Sequence, residues 1–254
     1  MYIHKHGHDT APTVIILHPM GITGEKMYEV VGSKLGDYCV LTPDMGNHAS
    51  EQRDFRSAAA EAAALQQYLV KRKKQTIRLL YGASLGAAVA LNLLQYTDLK
   101  IENVYLDGAP VARLGLVMRT VFPPVLVWQK QMIANNREKG IADFVTRYGR
   151  DIAEHMADTF LQFRRTSINQ IGKACVIGNT PAISPELQAH LWFDWGEKEL
   201  YTKTSKPLVE TLYPDAHIIV RSGCDHCEYM MKQNADYISR IKAIITENQG
   251  GSSI

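Results

Sequence analysis

A serine lies between two glycines in a pattern that suits nucleophilic catalysis. Residues 82–86 read G-A-S-L-G, with Ser84 at the centre. An apolar segment at 77–81 precedes them and an alanine- and leucine-rich segment follows, so we expect a strand, a tight turn and a helix. Such a turn exposes the serine hydroxyl, and glycine on both sides avoids a crowding Cβ atom. The pattern indicates either a catalytic serine or a glycine-rich turn with a helix-capping serine.

His226 is the candidate for the base that a catalytic serine requires. A serine hydroxyl is a poor nucleophile at neutral pH unless a neighbouring group accepts its proton. An imidazole suits this role because its pKa lies near neutral pH. His226 follows the sequence Gly-Cys-Asp after a predicted strand, which favours a site position over an ordinary loop histidine.

Apolar segments alternate with helical patterns along most of the chain. Predicted strands cover residues 13–18, 38–42, 76–81, 104–107, 189–193 and 217–220, and predicted helices cover 24–35, 52–72, 85–96 and 229–247. Continuous apolar strands that alternate with helices are typical of a parallel sheet covered on both faces. The sequence therefore predicts an α/β fold with a mostly parallel sheet flanked by helices.

The alternation stops between residues 111 and 187. We expect four helices there, at 111–121, 125–135, 141–148 and 151–167, separated by Pro123-Pro124, Gly140 and Gly149. An all-helical insertion between two strands would cover the site, so we divide the chain into a core domain (1–110 and 188–254) and a helical cap (111–187). Apolar cap residues that could line a pocket, or only pack the cap on the core, are Leu114, Leu116, Val117, Met118, Val121, Phe122, Val125, Leu126, Val127 and Trp128.

Five segments, spread over nearly the whole chain, resemble the α/β-hydrolase family with a helical cap. They are residues 16–21 (ILHPMG), 43–50 (PDMGNHAS), 82–86 (GASLG), 195–199 (WGEKE) and 223–226 (GCDH). The resemblance implies the α/β-hydrolase fold and an esterase- or lipase-like serine hydrolase. It also implies the family's chain order of serine, acid and histidine, with Ser84 as nucleophile, Glu199 as acid and His226 as base.

The resemblance also places an oxyanion hole beside the serine. Its donors would be the main-chain N–H groups of Met20 and Leu85. Pro19 stands where the family has glycine, which removes one main-chain donor but leaves that of Met20. By the same resemblance, His18 and His48 would hold loops near the site by hydrogen bonds.

The acid has several candidates. The family usually has aspartate at the position of Glu199, but glutamate, one methylene longer, can also orient a histidine. Asp107 follows the strand after the serine turn, where some members of the family place their acid. Asp225, adjacent to His226, and Asp194, at a strand end, are further alternatives.

Other potential metal ligands are weak signals. His4, His6 and His8 would share one face of a strand, which fits a metal site but fits a solvated N-terminal edge better. Cys224 and Cys227 form a single C-x-x-C without a second pair. We therefore expect no metal and no cofactor.

Composition limits the partners and the compartment. The net charge of the 254 residues is +2, which gives no reason to expect a nucleic-acid partner. We find no segment resembling a signal peptide or a transmembrane helix, and four cysteines are too few for a disulfide scaffold. We expect a cytoplasmic protein and leave a homodimer open.

These patterns predict a serine hydrolase of the carboxylesterase type. It would cleave a small carboxylic ester or thioester through an acyl-enzyme, and its substrate would carry an apolar part because the cap is apolar. An amide, peptide or carbon–carbon bond hydrolase with the same residues is an alternative within the fold. A non-enzymatic ligand-binding or scaffold protein is the other alternative, favoured by Pro19 and Glu199.

Overall fold

The computed structural model describes residues 1–49 and 51–247, so Ser50 of the predicted 43–50 motif lies outside the described residues. The strands of the described part are β1 (Tyr2–His6), β2 (Thr13–Leu17), β3 (Cys39–Asp44), β4 (Thr76–Ala83), β5 (Lys100–Ile101), β6 (Val104–Asp107), β7 (Leu191–Gly196) and β8 (His217–Arg221). The helices are α1 (Gly24–Val30), α2 (Ala58–Lys71), α3 (Leu85–Leu93), α4 (Leu116–Asn135), α5 (Arg137–Tyr148), α6 (Arg150–Gln162), α7 (Arg165–Ile177), α8 (Pro185–Gln188), α9 (Leu200–Thr204), α10 (Lys206–Leu212), α11 (Glu228–Lys232) and α12 (Asn234–Glu247).

The strands form one sheet in the order β1-β3-β2-β4-β6-β7-β8, and the short β5 pairs with the start of β4. β1 is antiparallel to β3, whereas the other pairs among the described strands are parallel. All the predicted strands are present, with ends shifted by up to three residues. The predicted α/β fold with a mostly parallel sheet is confirmed.

The N-terminal segment adds an edge strand, β1, to the predicted set. His4 and His6 lie on it two residues apart, as their alternation indicates, but both are half-buried rather than solvated. The Nε2 atom of His4 lies 3.0 Å from Asp44 Oδ2, and the ring of His6 stacks on Tyr28 at 3.5 Å between centroids. A solvated edge therefore describes only His8, which lies in the loop beyond the strand.

All four predicted core helices have different ends in the structure, and the one predicted at 85–96 ends at Leu93. The first ends at Val30 and is followed by a 3-10 turn at Gly32–Lys34. The second begins at Ala58 rather than residue 52, because Ser57 caps it by accepting a hydrogen bond from the N–H of Ala60 at 3.1 Å. The last is divided into α11 and α12 at Gln233.

The proline pair at 123–124 does not separate two helices, and this prediction is wrong. One helix, α4, runs through both prolines. Pro123 packs on Gly172 of α7, where a Cβ atom would lie 2.9 Å from the proline Cα. This close packing outweighs the hydrogen bonds that two missing N–H donors remove from the helix.

The remaining predicted breaks in the insertion are partly correct. Gly149 separates α5 from α6 at a φ of 84°. Gly140 instead lies within α5, because α4 passes so close that a Cβ atom there would lie 2.6 Å from the Cα of Ile133. The predicted helix at 151–167 is two helices, α6 and α7, and α7 continues to Ile177.

The parallel strands β4, β6, β7 and β8 lie side by side and end at the same edge of the sheet. Ser84, Asp107, Glu199 and His226 all lie at or just beyond these carboxyl ends. Helices α4–α7 are inserted in the chain between β6 and β7, so the insertion begins at this edge of the sheet. In open α/β sheets this edge is where ligands bind, so the topology alone gathers the predicted residues.

Candidate active site

Ser84 occupies a strained turn between β4 and α3. Its φ of 51° and ψ of −110° place a non-glycine residue at positive φ, a conformation that is found mostly where surrounding structure enforces it. The N–H of Ser84 donates to the carbonyl oxygen of Asp107 at 2.8 Å, and its own carbonyl accepts from Ala88 at 3.0 Å. Neighbouring elements therefore hold the serine at the point where strand becomes helix.

The two flanking glycines are required by close approach of main chain. A Cβ atom on Gly86 would lie 2.1 Å from the carbonyl oxygen of Leu17, and one on Gly82 would lie 2.7 Å from that of Gly86. Real Cβ atoms do not tolerate such distances, so any larger residue would displace β2 or the turn. The sequence interpretation of both glycines is correct.

His226 lies beside the serine on the loop after β8. Its Nε2 atom is 2.8 Å from the Oγ atom of Ser84. The main-chain N–H of His226 donates to Asp225 Oδ1 at 2.7 Å, and the next residue, Cys227, adopts the left-handed conformation that turns the chain into α11. The imidazole is thus within hydrogen-bond reach of the serine hydroxyl.

Glu199 reaches the other nitrogen of the imidazole. Its Oε2 atom is hydrogen-bonded to Nδ1 of His226, and its Oε1 atom accepts from the N–H of Gly196 at 2.6 Å. The side chain is buried at the start of α9. Because both carboxylate oxygens are engaged, the carboxylate is fixed in the orientation that meets the imidazole.

The carboxylates of the three alternative acids have hydrogen-bond or ion-pair partners other than His226. Asp107 accepts a hydrogen bond from the hydroxyl of Tyr237 at 2.8 Å. Asp194 pairs with Arg221 at 2.7 Å, and Asp225 pairs with Arg147 at 2.9 Å. The structure therefore brings Glu199, and none of these three, to Nδ1 of the histidine.

The electrostatics of the two central titratable groups differ. Burial opposes the charged form of His226, but the adjacent Glu199 carboxylate outweighs it, and the net effect raises the pKa of the imidazole above its usual value. Burial, reinforced by Asp194 and Glu199, raises the pKa of Asp107 to about 8. Burial thus favours the neutral form of Asp107, which makes it a poor source of the charge that stabilises an imidazolium.

His18 fixes the turn that follows β2. Its Nδ1 atom lies 2.9 Å from the carbonyl oxygen of Pro19, and its Nε2 atom accepts from the N–H of Met45 at 3.0 Å. Because a carbonyl only accepts and an amide only donates, the ring is the neutral Nδ1–H tautomer. Burial and the neighbouring His48 lower the pKa of His18 to about 3, which agrees with a neutral ring.

His48 connects the same turn to the loop after β3. Its Nε2 atom accepts from the N–H of Gly21 at 3.4 Å, and burial lowers its pKa to about 4. Met20 lies within this braced turn and lines the cavity beside the serine. Among the described residues, the main-chain N–H groups of Met20 and Leu85 have no hydrogen-bond acceptor, so both are available to an incoming oxygen atom.

A cavity of about 530 Å³ opens beside Ser84 and His226. Its apolar wall comes largely from the insertion helices and from residues 19–22. Five of the predicted lining residues do line it: Leu114, Met118, Phe122, Val125 and Leu126. The other five do not, because Leu116, Val117, Val121 and Trp128 are exposed and Val127 packs against the core.

Comparison with known families identifies the fold. The model of a family described as "Alpha/beta hydrolase family" matches residues 14–240. The chain belongs to the alpha/beta hydrolase family. No curated protein sequence matches this hydrolase significantly.

Solved structures agree with this assignment. An alpha/beta hydrolase family protein from Desulfitobacterium hafniense is 17% identical, with a TM-score of 0.75 over 96% of this chain and 100% of that one. A hydrolase from Pseudomonas aeruginosa is 15% identical, with a TM-score of 0.74 over 96% and 93%. An esterase from Exiguobacterium antarcticum is 13% identical, with a TM-score of 0.72 over 96% and 94%. At these identities the likeness concerns the fold.

Sequence reasoning missed Gly108 at the site of this hydrolase. Its φ is 59°, and a Cβ atom there would lie 2.4 Å from Cε1 of His226. Any side chain at this position would displace the imidazole. A glycine directly after a predicted buried strand was the available signal.

The insertion also contacts the histidine loop, which sequence reasoning did not predict. The hydroxyl of Tyr148, at the end of α5, donates to the main-chain carbonyl of His226 at 3.1 Å. The adjacent Arg147 pairs with Asp225 at 2.9 Å. These contacts join residues that are far apart in sequence, so no local sequence pattern predicts them.

Cys224 and Cys227 are free thiols on the histidine loop, and no cluster of three potential metal ligands exists in the described part of the chain. No helix among residues 1–49 and 51–247 has the length and apolarity needed to cross a bilayer.

Proposed function

We propose that this alpha/beta hydrolase is a serine hydrolase that cleaves small carboxylic esters or thioesters through an acyl-enzyme. The observation that carries the proposal is the continuous hydrogen-bond chain from Ser84 through His226 to Glu199, with 2.8 Å between serine Oγ and histidine Nε2. A merely structural serine at positive φ would not require an imidazole and a buried carboxylate behind it.

The residues account for each step of acyl transfer. Ser84 Oγ attacks the carbonyl carbon while His226 Nε2 takes its proton, and the carbonyl π bond becomes an oxyanion. The imidazolium then protonates the leaving alkoxide or thiolate as the carbon–heteroatom bond breaks. Water, deprotonated by the same imidazole, attacks the acyl-enzyme, and the proton returns to Ser84 as the carboxylic acid leaves.

Glu199 and two main-chain amides stabilise the charges that develop. The Glu199 carboxylate lies against Nδ1 of His226 and favours the imidazolium over the neutral ring. The N–H groups of Met20 and Leu85, braced by the neutral His18 and by the start of α3, would bind the oxyanion. Loss of one such donor typically costs about 10²–10³ in kcat.

The cavity supports an apolar acyl or alcohol group as the substrate feature. Its wall is formed by methionine, phenylalanine and aliphatic side chains, and the insertion 111–187 contributes most of them. We propose that this insertion acts as a cap on a core domain of residues 1–110 and 188–254. The esterase from Exiguobacterium antarcticum has the same fold, which is compatible with ester cleavage.

A chain-length series of p-nitrophenyl esters tests this proposal. We expect hydrolysis of the acetate, butyrate and octanoate esters, with kcat/KM rising with chain length until the cavity is filled, and loss of activity in Ser84→Ala. An acyl-thioester series measures the thioester alternative in the same way. If neither series is cleaved while p-nitroanilides are, the substrate is an amide; if nothing is cleaved, the binding-protein alternative replaces the proposal.

A further inference from the structure

The insertion contacts the turn that carries one of the two proposed oxyanion donors. Thr23 ends this turn and caps α1, and its main-chain N–H donates to the Nε2 atom of His155 at 3.3 Å. His155 lies on α6, 132 residues further along the chain. This hydrogen bond therefore joins the core to the insertion at the end of the turn that contains Met20.

The turn after β2 has a single hydrogen bond of its own among the described main-chain contacts. The N–H of Ile22 donates to the carbonyl oxygen of Pro19 at 3.4 Å, which places Met20 and Gly21 at the two central positions of a β-turn. Gly21 has a φ of 81°, as the third position of a type II turn requires. The other buried N–H groups of this segment need acceptors from neighbouring elements.

Three side chains from other elements accept hydrogen bonds from this segment. The N–H groups of Gly21, Thr23 and Gly24 donate, respectively, to His48, to His155 and to Oδ1 of Asp44. Two of these acceptors, His48 and Asp44, belong to the core at the end of β3, whereas His155 belongs to the insertion. The position of the Met20 N–H therefore depends on the insertion as well as on the core.

His155 has the protonation state that this contact requires. A main-chain N–H only donates, so the Nε2 atom must carry a lone pair and the ring must be neutral. Burial of the ring lowers the pKa of His155 below the ordinary histidine value, and the ammonium group of Lys26 lowers it further. The carboxylates that face the ring, those of Glu29, Asp151 and Asp158, act in the opposite direction but do not reverse this shift. The ring can therefore accept from the core amide at neutral pH.

Apolar side chains of α6 cover the same turn. A Cβ atom on Gly21 would lie 3.0 Å from Cε2 of Phe160 and 3.5 Å from Cε of Met156. Both side chains also line the cavity beside Ser84. Helix α6 therefore contributes to the wall of the cavity and also packs on the turn that contains Met20.

We propose that His155 is a positioning residue for the oxyanion hole. By accepting from Thr23 it fixes the end of the turn, so that the N–H of Met20 is oriented before negative charge develops on the substrate oxygen. A donor that is already oriented stabilises the transition state more than one that must first reorient. The consequence for catalysis rests on the proposed serine hydrolase function, whereas the contact between α6 and the turn does not.

Attachment of the insertion to the core does not depend on His155 alone. Lys26 of α1 pairs with Asp151 of α6 at 2.8 Å. On α7, the hydroxyl of Ser167 accepts from the main-chain N–H of Phe55 at 3.2 Å, and neither of these two residues lines the cavity. This contact is of the same kind, an insertion side chain that accepts from a core amide, so Ser167→Ala is the matched control.

Steady-state kinetics with a short p-nitrophenyl ester test the proposal. In His155→Leu we expect kcat to fall about tenfold with little change in KM, because the oxyanion forms only in the transition state. The loss should be smaller than that from removal of a donor, because the Met20 amide is displaced rather than absent. His155→Gln should recover most of kcat, since its amide oxygen can accept in place of Nε2. Ser167→Ala should keep the kcat of wild type.

Hydrogen exchange of the Thr23 amide, followed by NMR, measures the contact without activity. We expect faster exchange in His155→Leu than in wild type or His155→Gln, while amides of β2 and β4 exchange alike in all variants, which shows that the variants fold.

Three results would overturn the proposal. They are unchanged exchange of the Thr23 amide in His155→Leu, unchanged kcat in that variant, and an equal loss of kcat in Ser167→Ala. If wild type cleaves no ester, the serine hydrolase proposal fails instead, and exchange at Thr23 then decides whether His155 holds the turn.

Discussion

Tyr148 donates its hydroxyl hydrogen to the main-chain carbonyl oxygen of His226 at 3.1 Å. The tyrosine ends α5, whereas the histidine lies on the loop after β8. The ion pair between Arg147 and Asp225 lies beside it. The insertion is thus attached to the loop that carries the proposed base, and its position is coupled to the geometry of the site.

We predict that Tyr148→Phe lowers kcat by up to about tenfold, because a hydrogen bond of this kind contributes about 0.5–1.5 kcal/mol to holding the loop. Steady-state kinetics and thermal unfolding would be measured together. Tyr213→Phe is the matched control, since Tyr213 also donates to a main-chain carbonyl, that of Pro181 at 2.8 Å, and does not line the cavity. Equal effects of the two variants on kcat would contradict a positioning role for Tyr148.

Glu199→Gln and Asp107→Asn should differ strongly in activity. We expect kcat of Glu199→Gln to fall by about 10³–10⁴, because an amide neither stabilises an imidazolium nor enforces the required tautomer. Asp107→Asn should retain activity within about tenfold, because an amide oxygen can still accept from Tyr237. The reverse order of the two variants would assign the acid to Asp107.

The pH dependence of kcat/KM reports the ionisation of His226 in the free enzyme. Glu199 outweighs burial and raises the pKa of this imidazole, and only the neutral ring can accept the serine proton. We therefore expect activity to fall as pH decreases, with a midpoint above 6.5, the ordinary histidine value. In Glu199→Gln the midpoint should move to lower pH, because the strongest group that opposes the effect of burial is then lost; an unchanged midpoint would show that the carboxylate does not act on His226.

Asp107 should make the wild-type fold less stable as pH rises. Its pKa is about 8 in the folded chain against an ordinary 3.8, so between these values the folded state holds a proton that the unfolded state has lost. The free energy of unfolding then decreases with rising pH, by about 1.4 kcal/mol per pH unit from this group. The asparagine of Asp107→Asn cannot titrate. In urea unfolding, the free energy of unfolding of the variant relative to that of wild type should therefore be greater at pH 8 than at pH 5. A pH-independent difference between the two chains would contradict a buried neutral carboxyl.

Much of the site could be predicted because it depends on local turns. The turn at Ser84 is predictable because the two glycines, the strand pattern before it and the helix pattern after it all lie close together in the sequence. His226 and Glu199 follow predicted strands in the expected order, and parallel strands bring their ends to one edge. The proposal of Glu199 rather than Asp107 as the acid depends on the structure, because the hydroxyl that donates to Asp107 belongs to Tyr237, which is distant in sequence.

The errors arise where tertiary packing overrides a local rule. Pro123 ordinarily ends a helix, but its contact with Gly172 keeps α4 continuous. Gly140 is a helix breaker by propensity, yet here it permits the close approach of α4 and α5. Four of the ten predicted cavity residues face solvent instead, because apolarity alone does not distinguish the two sides of α4.

Covalent labelling tests the proposed function most directly. A fluorophosphonate reacts with a serine whose proton is removed by a neighbouring base, and the adduct can be located by intact mass and peptide mapping. We predict one adduct per chain, on Ser84, with no labelling of Ser84→Ala and strongly slowed labelling of His226→Ala. An adduct at another residue, or labelling that persists in Ser84→Ala, would contradict a nucleophilic Ser84.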